Sequence, residues 1–202
     1  MEDNMKLDEI LGISHQIVES VNLISPSPKD VINLIDSLNV TYVIIGAHGI
    51  SVYLGKIRAT IDIDIVTDNI DIVKNAIESK WPELEIVECP SKITFISGKY
   101  EIIDLIKPSQ PIYKLVLNNC VANIPTLEMS LVLKYAAMIS PNRKPDEKTQ
   151  DAADFKIMVL KNDRIDIDKI KDLTRLSNLY DDAHNEIAQL ILDIRNGKTI
   201  NI

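Results

Sequence analysis

Tyr42-Val43-Ile44-Ile45-Gly46-Ala47-His48-Gly49 and, a short apolar stretch later, Arg58-Ala59-Thr60-Ile61-Asp62-Ile63-Asp64-Ile65-Val66 are the segments that decide the fold. Residues 42–45 are an apolar run ending in glycine, the pattern of a buried strand. Residues 46–49 make a small-residue turn, and 49–54 read as a short helix stopped at Gly55. Between Ile61 and Val66 apolar and acidic residues alternate. That period of two predicts a strand with isoleucines on one face and aspartates on the other.

The alternation has a chemical consequence. Carboxylates at i and i+2 of a strand share a face, with Cα atoms roughly 7 Å apart. Charges that close repel, so one takes a proton or a cation sits between them. With no His or Cys beside them in sequence, the oxygen ligands select Mg²⁺ or Mn²⁺ over zinc. The competing reading is a strand whose acidic face is simply solvated. Three neighbours weigh against it. The turn at 46–49 lets a backbone approach a phosphate, and helix-start N–H groups attract anions. Arg58 precedes the pair and either meets a phosphate or balances Asp62. Asp104 stands alone among Ile102, Ile103, Leu105 and Ile106, where a carboxylate needs a partner.

Working outward, apolar spacing predicts a helix over 5–22 and another after Ser27 (N-cap) and Pro28, with Val31, Ile32 and Ile35 inward. A helix is expected at 70–80. Strands are expected at 84–87, 93–96 and 100–106, the last two joined by a turn at 97–99, and a further strand at 112–117. From Pro125 the chain turns helical. Thr126 caps a helix to about 139, and others follow at 146–160, 167–176 and 180–196. The expected class is α/β (α+β): a mixed β-sheet with flanking helices, residues 1–124 forming a core and 125–202 a helical part packed on it. The absence of GxGxxG argues against a dinucleotide-binding doubly wound sheet.

The bulk numbers agree with a folded domain: 202 residues, 46% hydrophobic and 26% charged. Aromatics supply only 4%, so aliphatic residues fill the core. A net charge of −8 argues against a broad basic surface for nucleic acid. Cys89 and Cys120 make no metal-ligand spacing and are read as buried structural thiols in a reducing compartment, with a disulfide between them as the alternative. The N-terminus has no basic region before an apolar stretch, and no run approaches the ~18 apolar residues of a membrane span. A cytoplasmic protein without membrane contact is expected.

Residues 43–66 resemble the signature of the DNA polymerase β-type nucleotidyltransferase superfamily, and most nearly its small AbiEii-like, toxin–antitoxin members. In that pattern a small-residue turn and short helix precede Asp-x-Asp, and a third carboxylate follows on a later strand. The resemblance implies that Asp62, Asp64 and Asp104 are the catalytic, metal-binding residues, holding Mg²⁺ or Mn²⁺, and that an NTP is the substrate. It implies that Gly46, Ala47, His48 and Gly49 cradle the triphosphate, with His48 a positioning hydrogen-bond donor. Lys134 and Arg143, with Gln150, Asp151 and Asp154, resemble the helical segment that follows, which makes Arg58, Lys134 and Arg143 candidates for nucleotide or acceptor contacts. Each has a plainer alternative: Arg58 balances Asp62, Lys134 snorkels to solvent, and Arg143 is solvated. Ala47 replaces a common glycine, and Gln150 a common lysine.

Three functions follow. One is transfer of an NMP from NTP to a hydroxyl of an RNA, a tRNA end included, or of a protein acceptor, with an antitoxin protein as partner. The second is modification of a small molecule, as in antibiotic-modifying relatives. The third is a nucleotide-binding or interaction module without catalysis.

Overall fold

Only the later part of the alternation at 61–66 becomes a strand, the second of a five-stranded mixed sheet; it begins at Ile63 and leaves Ile61 and Asp62 before it. The computed structural model describes residues 9–12, 26–56, 58 and 60–198. In chain order the elements are α1 (Pro28–Ser37), β1 (Tyr42–Ile45), α2 (Gly46–Leu54), β2 (Ile63–Thr67), α3 (Ile70–Lys80), β3 (Glu85–Glu88), β4 (Lys92–Ser97), β5 (Tyr100–Ile106), α4 (Pro111–Asn118), β6 (Cys120–Val121), β7 (Ile124–Pro125), α5 (Leu127–Ile139), α6 (Pro145–Lys161), α7 (Ile167–Leu176) and α8 (Ala183–Arg195). Residues 9–12 are helical, and the rest of the helix expected over 5–22 lies almost wholly outside the described residues.

The sheet runs β1-β2-β5-β4-β3, with β2 and β5 parallel and the other pairs antiparallel. It has a core on each face. Ile63, Ile65, Ile103 and Leu105 face α1 and α3 through Val31, Ile35, Val73 and Ile77. Val43, Ile45, Val66 and Ile106 face α2 and the later helices, packing with Leu54, Val116, Val132 and Phe155. Residues from both sides of position 124 therefore share one core.

Local signals set most boundaries. Ser27 and Asp30 form a reciprocal capping box at α1 (Asp30 N–H to Ser27 Oγ 3.3 Å, Ser27 N–H to Asp30 Oδ2 3.1 Å). Thr126 Oγ accepts from the Met129 N–H at the start of α5. Residues 112–117, expected as a strand, are helical. Pro111 occupies the first turn of α4, and Ile112 and Val116, one turn apart, form its buried face. The β6–β7 hairpin has no counterpart among the expected elements. Its turn places Ala122 and Asn123 at φ of 50° and 60°, the left-handed geometry of a tight hairpin. It lies beside β1, whose Ile44 N–H donates to the Asn123 carbonyl (2.8 Å). At the opposite edge all four residues of β3 are exposed. The expectation of two buried thiols fails at Cys89, which is exposed beyond the end of β3; Cys120 is half-buried and both are free. No described helix is long and apolar enough to cross a membrane.

Candidate active site

The parallel pairing of β2 with β5 sets Asp64 directly beside Asp104. Both side chains point to the face carrying Val66 and Ile106, at the margin of a cavity of about 820 Å³ between the sheet and the later helices. Two carboxylates on neighbouring strands are a repulsive cross-strand pair. Burial first, then the charges of Asp62 and Asp104, push the Asp64 pKa up to about 7, against the pull of Lys92 and Arg143. Asp62 lies one residue before β2 begins and accepts a hydrogen bond from the Thr60 hydroxyl. Its pKa is raised by burial and by Asp104, with Arg58 opposing. Asp104 is fully engaged. Lys92 Nζ donates to Oδ2 (2.7 Å), and Thr94 Oγ1, from the residue opposite on β4, donates to Oδ1 (2.6 Å).

The turn after β1 packs onto this pair. Gly46 has φ 64°, and a Cβ there would fall 1.9 Å from Asp64 Oδ2. Gly49 lies as close to the strand it leaves, since a Cβ would meet the Ile44 carbonyl oxygen at 2.4 Å. Helix α2 begins at Gly46 rather than at residue 49, and no side chain caps its first turn. Gly46, Gly49 and Ile50 line the cavity, and Ala47 does not. His48 is 1% exposed, and its ring hydrogen-bonds the main chain of Asp62. Burial pulls its pKa down to about 4, so it is neutral at pH 7 and positions Asp62. Gly46→Ala is expected to lower stability by about 2–4 kcal/mol, combining a left-handed alanine with a clash against Asp64. A urea midpoint would measure it, and a value within 0.5 kcal/mol of wild type would mean the turn does not pack on the carboxylate as described.

The three cations singled out in the sequence converge, but on two aspartates of α6. Lys134 Nζ donates to Asp151 Oδ1 (2.7 Å) and Asp154 Oδ2 (3.1 Å). Arg58 Nη1 meets Asp154 Oδ2 at 2.8 Å, and Gln150 Nε2 donates to Asp154 Oδ1 at 3.0 Å. Arg143 reaches Asp151 Oδ2 through Nε (3.2 Å) and Nη2 (3.1 Å). Lys134, Asp151 and Asp154 are buried at 6%, 2% and 1% exposure. Lys134 is thus an internal ion-pair member and does not snorkel to solvent. Arg58 balances Asp154 by contact and Asp62 only at a distance. Lys134, Arg143 and Asp151 form part of the cavity wall, whereas Arg58 does not.

The cavity lining contains neither His nor Cys, and its carboxylates, Asp64, Asp104 and Asp151, are hard oxygen donors. Asp64 and Asp104, in register and mutually repelling, fit a divalent cation, since Mg²⁺ commonly takes one or two protein carboxylates and completes its shell with water and phosphate. Among the described residues no group of three or more His, Cys, Asp or Glu side chains is arranged to hold a metal ion. Asp104 is held by Lys92 and Thr94, and Asp62 by Thr60. Lys92 and Thr94 carry no motif of their own. Only the β4–β5 register brings them to Asp104.

No family model and no curated protein matches the chain. Among solved structures it is similar to the antibiotic-resistance factor ANT(2″)-Ia in solution, at 13% identity over 83% of this chain and 93% of that one, with a TM-score of 0.50. The crystal structure of ANT(2″)-Ia in complex with adenylyl-2″-tobramycin gives 14% identity over 72% and 91%, with a TM-score of 0.47. Terminal uridylyl transferase 4 from Trypanosoma brucei with bound GTP gives 10% over 93% and 95%, with a TM-score of 0.32. The first likeness is one of fold: a mixed sheet with flanking helices, the nucleotidyltransferase fold.

Proposed function

We propose that the chain is a metal-dependent nucleotidyltransferase that moves an NMP from an NTP to an acceptor hydroxyl. The observation that carries the reading is Asp64, in register with Asp104 and packed against Gly46, where the uncapped start of α2 opens onto the cavity. Asp64 and Asp104 would hold Mg²⁺ or Mn²⁺, joined by Asp62. The ion, when bound, supplies charge neutralisation for the triphosphate and lowers the pKa of the attacking hydroxyl.

The chain's own groups do the rest. The N–H groups at the start of α2 face incoming phosphate oxygens. His48 and Thr60 keep Asp62 in place. Asp104 stands on the acceptor side and receives the hydroxyl proton. The hydroxyl oxygen bonds to the α-phosphorus, while the bond to the bridging oxygen breaks and its electron pair leaves with pyrophosphate. Such chemistry rests on positioning and charge compensation, which is what this wall of the cavity offers.

On the acceptor side, the cavity favours the small-molecule reading over an RNA chain. Lys92, Lys134 and Arg143, the cations along it, are all ion-paired with carboxylates, whereas a polyanion needs cations that can exchange onto phosphates. The RNA or protein acceptor and the antitoxin partner rest on the motif resemblance.

Calorimetric titration of each NTP with Mg²⁺ tests the site. Wild type is expected to bind at least one NTP only with metal, and Asp62→Asn/Asp64→Asn to lose roughly 100-fold or more of that affinity. No NTP binding by folded wild type would remove the transferase reading. Transfer of label from α-labelled NTP to small polyols against tRNA would then choose the acceptor.

A further inference from the structure

Asp104 is covered by a cation of the protein's own. Lys92 projects from β4 into the cavity wall with Nζ 2.7 Å from Asp104 Oδ2, and its side chain is 37% exposed. The same Nζ lies 3.6 Å from Glu101 Oε2, a carboxylate 65% exposed on β5. Thr94 keeps the other oxygen of Asp104 (2.6 Å), so the carboxylate cannot turn away from its partners without breaking a hydrogen bond made by a buried side chain. Lysine is a point charge on a flexible four-carbon stem. Here that stem has two acceptors within a small swing, one inside the cavity and one toward solvent.

We infer that Lys92 is an exchangeable positioning residue: it occupies the Asp104 oxygen that a divalent cation needs and cedes it by moving onto Glu101. This inference rests on the carboxylates taking a divalent cation, the first half of the function proposed above, and not on any nucleotide. It gives Lys92 a role besides charge balance. In the metal-free protein Lys92 lessens, without abolishing, the repulsion of two carboxylates side by side, and an ammonium ion can leave without covalent change. Because a cation and Lys92 compete for one oxygen, any weakening of Lys92's hold on Asp104 strengthens metal binding by the same free energy.

The test measures Mn²⁺ binding through the paramagnetic resonance of free Mn²⁺, without nucleotide, on proteins whose folding is checked by circular dichroism. Lys92→Met is expected to bind Mn²⁺ about tenfold more tightly than wild type, and Lys92→Gln to behave likewise if the methionine variant misfolds. Glu101→Gln, which removes the second acceptor, is expected to bind about threefold more weakly. Its effect should vanish in the Lys92→Met background, because Glu101 acts through Lys92 and not through its own field. Mn²⁺ binding that is lost in Asp64→Asn but equal in wild type and Lys92→Met would overturn the inference and leave the carboxylate site standing. A Glu101→Gln effect of the same size in both backgrounds would overturn the exchange. No Mn²⁺ binding by any variant would remove both the inference and the metal-dependent function.

Discussion

Asp64→Asn is expected to melt above wild type at pH 8 while losing nearly all nucleotide transfer. The carboxyl titrates at about 7 in the folded chain, against about 3.8 in an unfolded one, because burial and the charges of Asp62 and Asp104 disfavour its ionised form. Between those values the folded state holds a proton that the unfolded state has released. The stabilisation this brings is complete below about pH 4 and is lost as pH rises through 7. At pH 8 the metal-free protein therefore carries an ionised, repelled carboxylate. Asparagine has the same shape and no charge, and removing the repulsion should stabilise by on the order of 1–2 kcal/mol, about 3 °C in Tm. The gain should shrink toward pH 5, where wild type is protonated. Excess Mn²⁺ should raise the Tm of wild type and leave that of the variant nearly unmoved. Transfer should fall by roughly 10³-fold or more, since one of the paired metal ligands is gone. Thermal shift over pH 5 to 8 decides the matter. A variant less stable than wild type at pH 8 would show that Asp64 is structural rather than held under repulsion.

Lys134→Met is expected to cost about 3 kcal/mol, near 10 °C in Tm for a chain of this size. Lys134 is the central cation between two buried carboxylates, and without it Asp151 depends on Arg143 and Asp154 on Arg58 and Gln150. Those remaining partners keep the loss below the upper end for an orphaned buried charge. The triple variant Lys134→Met/Asp151→Asn/Asp154→Asn should recover most of the stability, because it removes the orphaned charges with their partner. Nucleotide binding should not recover with it, since Arg143 loses the carboxylate that fixes it on this wall of the cavity. A single variant within 1 kcal/mol of wild type in a urea melt would mean that the network is solvated in solution.

The sequence revealed what lies close together along the chain. Asp62 and Asp64 could be read because only Ile63 separates them, and Asp104 because a lone acid in an apolar strand is conspicuous. Their relation was not legible. That Asp64 and Asp104 are neighbours depends on β5 docking in parallel beside β2, a register no local pattern states. Lys92 and Thr94 were missed for a similar reason: they reach Asp104 through the β4–β5 hairpin, whose register shifts at Phe95 and Ile96. Nothing near Asp154 in the chain states that one of its partners is Arg58, 96 residues away. At 112–117 an apolar run without alternation suited either element, and Pro111 was the signal for the helix that forms. Cysteine is usually buried, but β3 is exposed and ends before Cys89, which is left at the surface.

The two edges of the sheet differ in one further respect. A bare strand edge invites a strand from another molecule, and sheets that stay soluble block such pairing with a covering segment or with charge. Here β1 has the first safeguard, with the 122–123 turn bonded to Ile44. β3, with no strand on its outer side among the described residues, has the second: its sequence is Glu-Ile-Val-Glu, and Glu88 is tied by ion pairs to Lys74 and Lys107. Two copies aligned edge to edge along β3 would bring glutamates of one against glutamates of the other. Sheet-to-sheet growth is opposed there by charge alone, which makes Glu85 and Glu88 guardians against aggregation, with no part in the chemistry at the other end of the molecule.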